Sequence, residues 1–223
     1  MPPPTAPPAI RAVAQDDADE VAGLVAEALA DKYRPALGRR AVAGIAELVR
    51  RDAVSGGGAR RWVAEIDGRI AGSVSLAIAP EIDAGFPATL AGAVGWPRAI
   101  RATLVLSLLA HGRLAPDEAY IDELAVAGWA RRRGVAGALL RTCAAEARSA
   151  GRRRLTLWVT IDNAAARSLY EGAGFREIRR RRWWTGRLIF GAPGAILMER
   201  RLEPAPPQGD PRRRDDPPAP PGA

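Results

Sequence analysis

A short run of small and basic residues, Arg131-Arg-Arg-Gly134-Val-Ala136-Gly137-Ala138, carries the first chemistry legible in the chain. Glycine and alanine let an anion approach main-chain N–H groups, and the residues that follow have helical spacing. The first turn of a helix leaves its N–H groups unpaired at the positive end of the dipole, so this turn reads as a seat for phosphate. Two neighbouring carboxylates, Asp122 and Glu123, lie just upstream and could take a proton from a reacting group. As neighbours in a strand they should point to opposite faces, with Asp122 on the side of Tyr120 and Leu124.

These residues need a strand, a turn and a helix to hold them. Tyr120 to Val126 suits a buried strand, Arg131 to Gly137 a tight turn, and Val135, Leu139, Cys143 and Ala147 recur at the spacing of one helix face. Leu155 to Thr160, LTLWVT, reads as a second buried strand after Gly151 turns the chain. A crossover through the helix would make the two strands parallel. If they part beyond Val126, free strand amides can grip an extended chain that carries amides of its own. The turn has neither the spacing of a P-loop nor that of a dinucleotide fold.

Arg131-x-x-Gly134-x-Ala136 after Leu-Ala-Val, together with Asn163-x-x-Ala166-x-x-Leu169-Tyr170-Glu171-x-x-Gly174-Phe175, closely resembles the GNAT superfamily of acyl-coenzyme A-dependent N-acyltransferases. The match is close over 120–175 and extends by pattern of elements over about 10–202. The resemblance implies a single α/β domain: a central mixed, mostly antiparallel sheet with splayed parallel strands and flanking helices. It assigns the pyrophosphate of acetyl-coenzyme A to Arg131, Arg132, Arg133, Gly134, Val135, Ala136, Gly137 and Ala138. Leu124, Ala125 and Val126 fall to the pantetheine arm, with Asn163 and Ala166 beside it. Asn163 also suits an N-cap, which needs no ligand.

The same resemblance places the Tyr170 hydroxyl beside the thioester sulfur, where it would assist the leaving thiolate. A free tyrosine near pKa 10 is a weaker acid than a thiol near 8.5, so complete transfer is uphill by about 2 kcal/mol and a hydrogen bond suffices. Glu123 is common at its place in the motif and is preferred to Asp122 as base, directly or through water. An ion-paired role is open to either carboxylate.

The formal charge of +8 resides between the ends of the chain. Arg212 to Arg214 are offset by Asp210, Asp215 and Asp216, and the first nine residues carry no charged side chain. Lys32 is the only lysine, so the excess is arginine. Runs at 131–133, 152–154 and 179–182 could face a polyanion, for which coenzyme A would serve, or could be solvated surface. Nucleic acid is the competing partner, without a zinc-finger spacing, RNP motif or recognition helix to support it. A single cysteine, Cys143, and a single histidine, His111, exclude a disulfide framework and a multi-histidine metal site, so no metal is expected.

Residues 1–9 and 204–223, rich in Pro, read as disordered tails around one domain over 10–203. Ile10 to Ala14 suits a strand; Val21, Leu24, Val25, Ala28 and Leu29 give a helix face; Val42, Ile45 and Val49 mark a second helix over 41–50. Ser55-Gly-Gly-Gly58 breaks the pattern. Asp67-Gly68 predicts a hairpin between 62–66 and 69–78. Residues 80–117 are weakly patterned; Trp96-Pro97 could start a helix through Ile100, Leu104 and Leu108 that ends at Gly112, for packing, acceptor binding or a homodimer contact. Arg176 to Trp184 and Ala195 to Leu202 suit two final antiparallel strands. With no secretory pattern and no membrane span expected, the cytoplasm is the default location. The expected activity is acetyl transfer from acetyl-coenzyme A to a primary amine by direct attack. A noncatalytic acyl-coenzyme A sensor with the same fold is the alternative.

Overall fold

The computed structural model describes residues 7–29, 40–54, 59–78, 86–97, 99–100, 103, 114–183 and 193–203. Seven strands form one sheet: β1 (Ala9–Ala12), β2 (Ala59–Ile66), β3 (Arg69–Ala77), β4 (Glu118–Val126), β5 (Arg154–Thr160), β6 (Arg176–Arg182) and β7 (Gly194–Arg201). Their order is β1-β2-β3-β4-β5-β7-β6, and β4/β5 is the parallel pair. The helices are α1 (Ala18–Ala28), α2 (Ala41–Val54), α3 (Phe86–Val94), α4 (Val135–Ser149) and α5 (Ala164–Gly172). This is the mixed, mostly antiparallel α/β sheet expected from the signature.

Two hydrophobic layers sandwich the sheet. On one face Leu139, Leu140 and Cys143 of α4 pack with Leu76, Ile121, Leu155, Leu157, Phe175 and Ile196. On the other, Val21 and Val25 of α1 and Ile45 and Val49 of α2 pack with Val63, Leu90 and Ala125. Complete burial of each large aliphatic side chain stabilises the fold by roughly 1.5–3 kcal/mol. The predicted α4 stripe of Val135, Leu139, Cys143 and Ala147 is wholly inside. Gly151, at φ 72°, ends the helix in the left-handed conformation, and its amide donates to Arg148 O at 2.8 Å. Asp67 and Gly68 have φ of 52° and 72°, the paired positive angles of the predicted two-residue turn.

Several expectations change. β1 begins at Ala9, one residue before the compositional boundary, and α2 runs on to Val54. Val42 is 46% exposed, so the buried face of α2 is formed by Ile45, Ala46, Leu48 and Val49. α3 was not legible because its run, FPATLAGAV, is apolar around the helix and shows no polar face to set a period. Trp96, Pro97, Ala99, Ile100 and Thr103 are helical. The 55–58 break, Leu104, Leu108, His111, Gly112, Trp184 and nearly all of both tails lie outside the described residues.

The feature that shapes the site is a bulge in β4. Ser75 of β3 faces Glu123 and Leu76 faces Ile121, so the register steps over Asp122, the extra residue of the bulge. β4 pairs with β5 from Glu118↔Arg154 to Ile121↔Leu157 and no further. A bulge bends and twists its strand, which explains why pairing stops where Asp122 begins. The strands therefore part at Asp122, well before the expected point beyond Val126.

Candidate active site

The ladder to β5 ends at Ile121↔Leu157, so the rest of β4 runs beyond it on that edge, while the opposite edge stays joined to β3 through Gly72↔Val126. Main-chain donors and acceptors on the open edge suit an extended amide-containing chain. Leu124 and Val126 pack against the α4 layer, whereas Ala125 belongs to the α1/α2 layer.

The chain leaves β4 through a short helical turn at Gly128–Ala130 and reaches α4 by a turn with Arg132 at φ 60° and Gly134 at φ 80°. Left-handed residues interspersed in a turn aim successive N–H groups toward one point. Gly134 is the N-cap and supplies no side-chain acceptor; its carbonyl accepts from Ala138 N at 3.0 Å to open the helix. Among the described residues, no backbone carbonyl accepts from the amides between Arg132 and Gly137. The turn thus presents a row of donors with a left-handed angle that favours glycine at 134. Arg131 and Arg132 are exposed, Arg133, Ala136 and Gly137 half-buried, and Val135 and Ala138 buried as anchors.

Gly72 on β3 sets how closely α4 can approach. A Cβ there would stand 2.8 Å from Val135 Cγ1 and 2.9 Å from Ala125 O, so a side chain would push the donor row off the sheet.

Asn163 caps α5, its Oδ1 accepting from Ala166 N at 3.0 Å, which leaves its N–H2 to donate elsewhere. Ala166 packs against the core nearby. Tyr170, one helix turn farther on, is buried in the α4 layer and meets Phe175 edge-on at 5.9 Å between ring centroids. Burial alone pushes its hydroxyl up to about 12. The phenol stays protonated through the physiological range and remains a hydrogen-bond donor.

The carboxylates separate in environment. Asp122, the bulge residue, is exposed, and Glu123 is buried. The bulge overturns the simple alternation expected for this strand: Ile121 and Leu124 both join the α4 layer, so Tyr120 and Glu123 share the α1/α2 face and Asp122 does not sort with Tyr120 and Leu124. Glu123 Oε2 accepts from Arg61 Nη1 at 2.8 Å, and Arg61 Nε donates to Asp52 Oδ2 at 3.1 Å. All three side chains are at most 8% exposed. Desolvation raises the Asp52 carboxyl above its ordinary range, partly opposed by Arg61. The row joins α2, β2 and β4 behind the open edge, with Arg61, Ser75 and Glu123 in cross-strand register.

A family model described as acetyltransferase (GNAT) family matches residues 24–175. The chain belongs to the GNAT acetyltransferase family. No curated protein sequence matches it. Among solved structures, this GNAT chain is similar to the ribosomal-protein-S18-alanine N-acetyltransferase of Escherichia coli, with TM-score 0.58 and 19% identity over 90% of this chain and 97% of that one. The PaiA N-acetyltransferase of Thermoplasma acidophilum in complex with coenzyme A gives TM-score 0.58 and 14% identity over 88% and 100%. A GNAT acetyltransferase of Streptococcus pneumoniae gives TM-score 0.56 and 19% identity over 88% and 99%. At these identities the likeness is one of fold.

GNAT acetyltransferases take their acyl group from acetyl-coenzyme A, and the donor row, glycine angle and open strand edge of this chain fit that donor. Three residues around the candidate site escape sequence reading: Gly72, Arg61 and Asp52. Arg61 left a signal, a charge two residues before Val63 and hence in inward register in a strand. Gly72 left none, since its use lies in the approach of a helix distant in sequence. Among the described residues no group of His, Cys, Asp and Glu could hold a metal, and no helix is long and apolar enough to cross a membrane.

Proposed function

We propose that this chain is an N-acetyltransferase that moves the acetyl group of acetyl-coenzyme A to a primary amine of a small molecule or protein by direct attack. The observation that carries the reading is the open edge after Ile121, with Tyr170 in the layer on one face and Glu123 on the other. A donor entering along the α4 side meets an acceptor from the α1/α2 side. The amides of Arg131–Ala138 hold the pyrophosphate, aided by the guanidiniums of Arg131–Arg133. Leu124, Ala125 and Val126 bind the pantetheine amides, with the Asn163 amide and the small Ala166 beside them. Bound there, acetyl-coenzyme A supplies an activated thioester carbonyl.

Tyr170 donates a hydrogen bond at the departing sulfur. With its hydroxyl at about 12 and a thiol near 8.5, full proton transfer is uphill by about 5 kcal/mol, so the phenol stabilises the thiolate while keeping its proton. Glu123, directly or by way of water, takes the proton of the attacking amine. Asp122 is the second choice for that role. Direct attack is favoured over an acyl-cysteine route because Cys143 is buried in the α4 layer and its thiol is pushed up to about 12, too high to furnish a thiolate.

Thiol release from acetyl-coenzyme A across a panel of amines tests the reading. Release that depends on the acceptor is expected; binding of coenzyme A with no acceptor-dependent release by any amine overturns catalysis and leaves a sensor. Glu123→Gln should lower kcat/KM by about 10²-fold with coenzyme A affinity retained. An unaltered rate would move the base role to Asp122 or to solvent.

A further inference from the structure

We propose that the acceptor carries an anionic group, carboxylate or phosphate, besides its amine, and that Arg181 and Arg179 of the edge strand β6 receive it. This rests on the acyl-transfer reading and specifies the substrate class of that same site. Every residue of β6 is exposed, and the strand carries five arginines. Arg180 is neutralised by Glu177, with contacts of 2.8 and 2.7 Å. Arg179 and Arg181 make no ion pair among the described residues.

Register decides which face each arginine uses. Arg180 pairs with Ile196, which lies in the α4 layer, so Arg180 and Arg182 point to that side while Arg179 and Arg181 point to the opposite side. That opposite side is the face of Tyr120 and Glu123. It is also the face of Trp158, because its neighbours Leu157 and Val159 are in the α4 layer.

Solvated arginine on an edge strand is a common defence against edge-to-edge pairing and requires no ligand. Arg181 departs from that pattern. Its guanidinium lies 5.5 Å from the centroid of the Trp158 ring, reaching inward across β7 to β5. Trp158 directly follows Leu157, the last residue of β5 paired with β4, so the stacked guanidinium stands at the start of the opening. A guanidinium stacked on an indole keeps its edge N–H groups in a plane for a carboxylate or phosphate. An anion on Arg181 would thus anchor an acceptor whose amine reaches toward Glu123.

The test uses the full chain, acetyl-coenzyme A and matched acceptors: amino alcohols of several lengths against ω-amino carboxylates and ω-aminoalkyl phosphates of the same lengths. The expected result is kcat/KM at least tenfold higher for one or both anionic series, diminishing with added salt; the two series distinguish carboxylate from phosphate. In Arg179→Ala/Arg181→Ala that ratio should fall toward one. Arg182→Ala, which removes one such charge on the other face, should keep it. Equal kcat/KM for charged and neutral acceptors in the natural chain, or a ratio that survives the double substitution, overturns the inference and leaves acyl transfer standing. Absence of thiol release with every acceptor overturns the transferase reading itself and the inference with it.

Discussion

Tyr170→Phe is expected to lower kcat by about 10²-fold, within the roughly 1.5–3 kcal/mol of a hydrogen bond to a charged group, while the dissociation constant of coenzyme A changes little. The phenyl ring fills the same place against Phe175, so packing is preserved and only the hydroxyl is lost. Steady-state kinetics with titration calorimetry separate the two quantities, and an undiminished kcat would remove Tyr170 from the reaction. Tyr170 also makes a pH prediction. Its folded pKa of about 12 lies above the unfolded value near 10, so the stability due to keeping it neutral is complete below pH 10. That contribution is lost as pH rises toward 12. Tyr170→Phe should flatten this alkaline fall in an unfolding titration.

Arg61→Ala is expected to cost about 3–5 kcal/mol of stability, because Asp52 and Glu123 would remain buried without their shared cation. For a domain of this size that lowers Tm by about 6–20 °C. The deficit should shrink as pH falls toward 4: carboxyls whose folded pKa is raised contribute full stability below the unfolded value and lose it as pH rises through the folded one. In the natural chain Asp52 already has this sign. Thermal denaturation of the variant at several pH values checks both statements. A deficit independent of pH would mean that Arg61 matters for its packing and not for its charge. Adding Asp52→Asn and Glu123→Gln to the variant should recover part of the loss.

Much of this fold was legible because local pattern and tertiary environment agree. Val135, Leu139, Cys143 and Ala147 repeat at helical spacing and are all buried, and Asp67-Gly68 takes the angles that its residue types favour. The donor turn was legible for the same reason: left-handed geometry at Gly134 is a local demand that a glycine answers. What failed to show depends on partners distant in sequence. Whether Glu123 is solvated or clamped depends on Arg61, sixty-two positions away, and on Asp52 of another helix. The Gly72 approach is fixed by Val135 and Leu139. Val42 fits the period of Ile45 and Val49, yet it is exposed, and Ala46 and Leu48 complete the buried face of α2. Alternation in β4 failed at one residue, since nothing in Tyr-Ile-Asp-Glu-Leu announces that a strand will carry one position more than its neighbour.

That surplus position ties catalytic architecture to chain length. Removing Asp122 would leave Ile121, Glu123 and Leu124 in unbroken alternation, each side chain still on its present side. The same shortening would allow β4 and β5 to zip together over their full span and seal the slot. A one-codon deletion would therefore close the open edge while leaving Tyr170 and Glu123 in place.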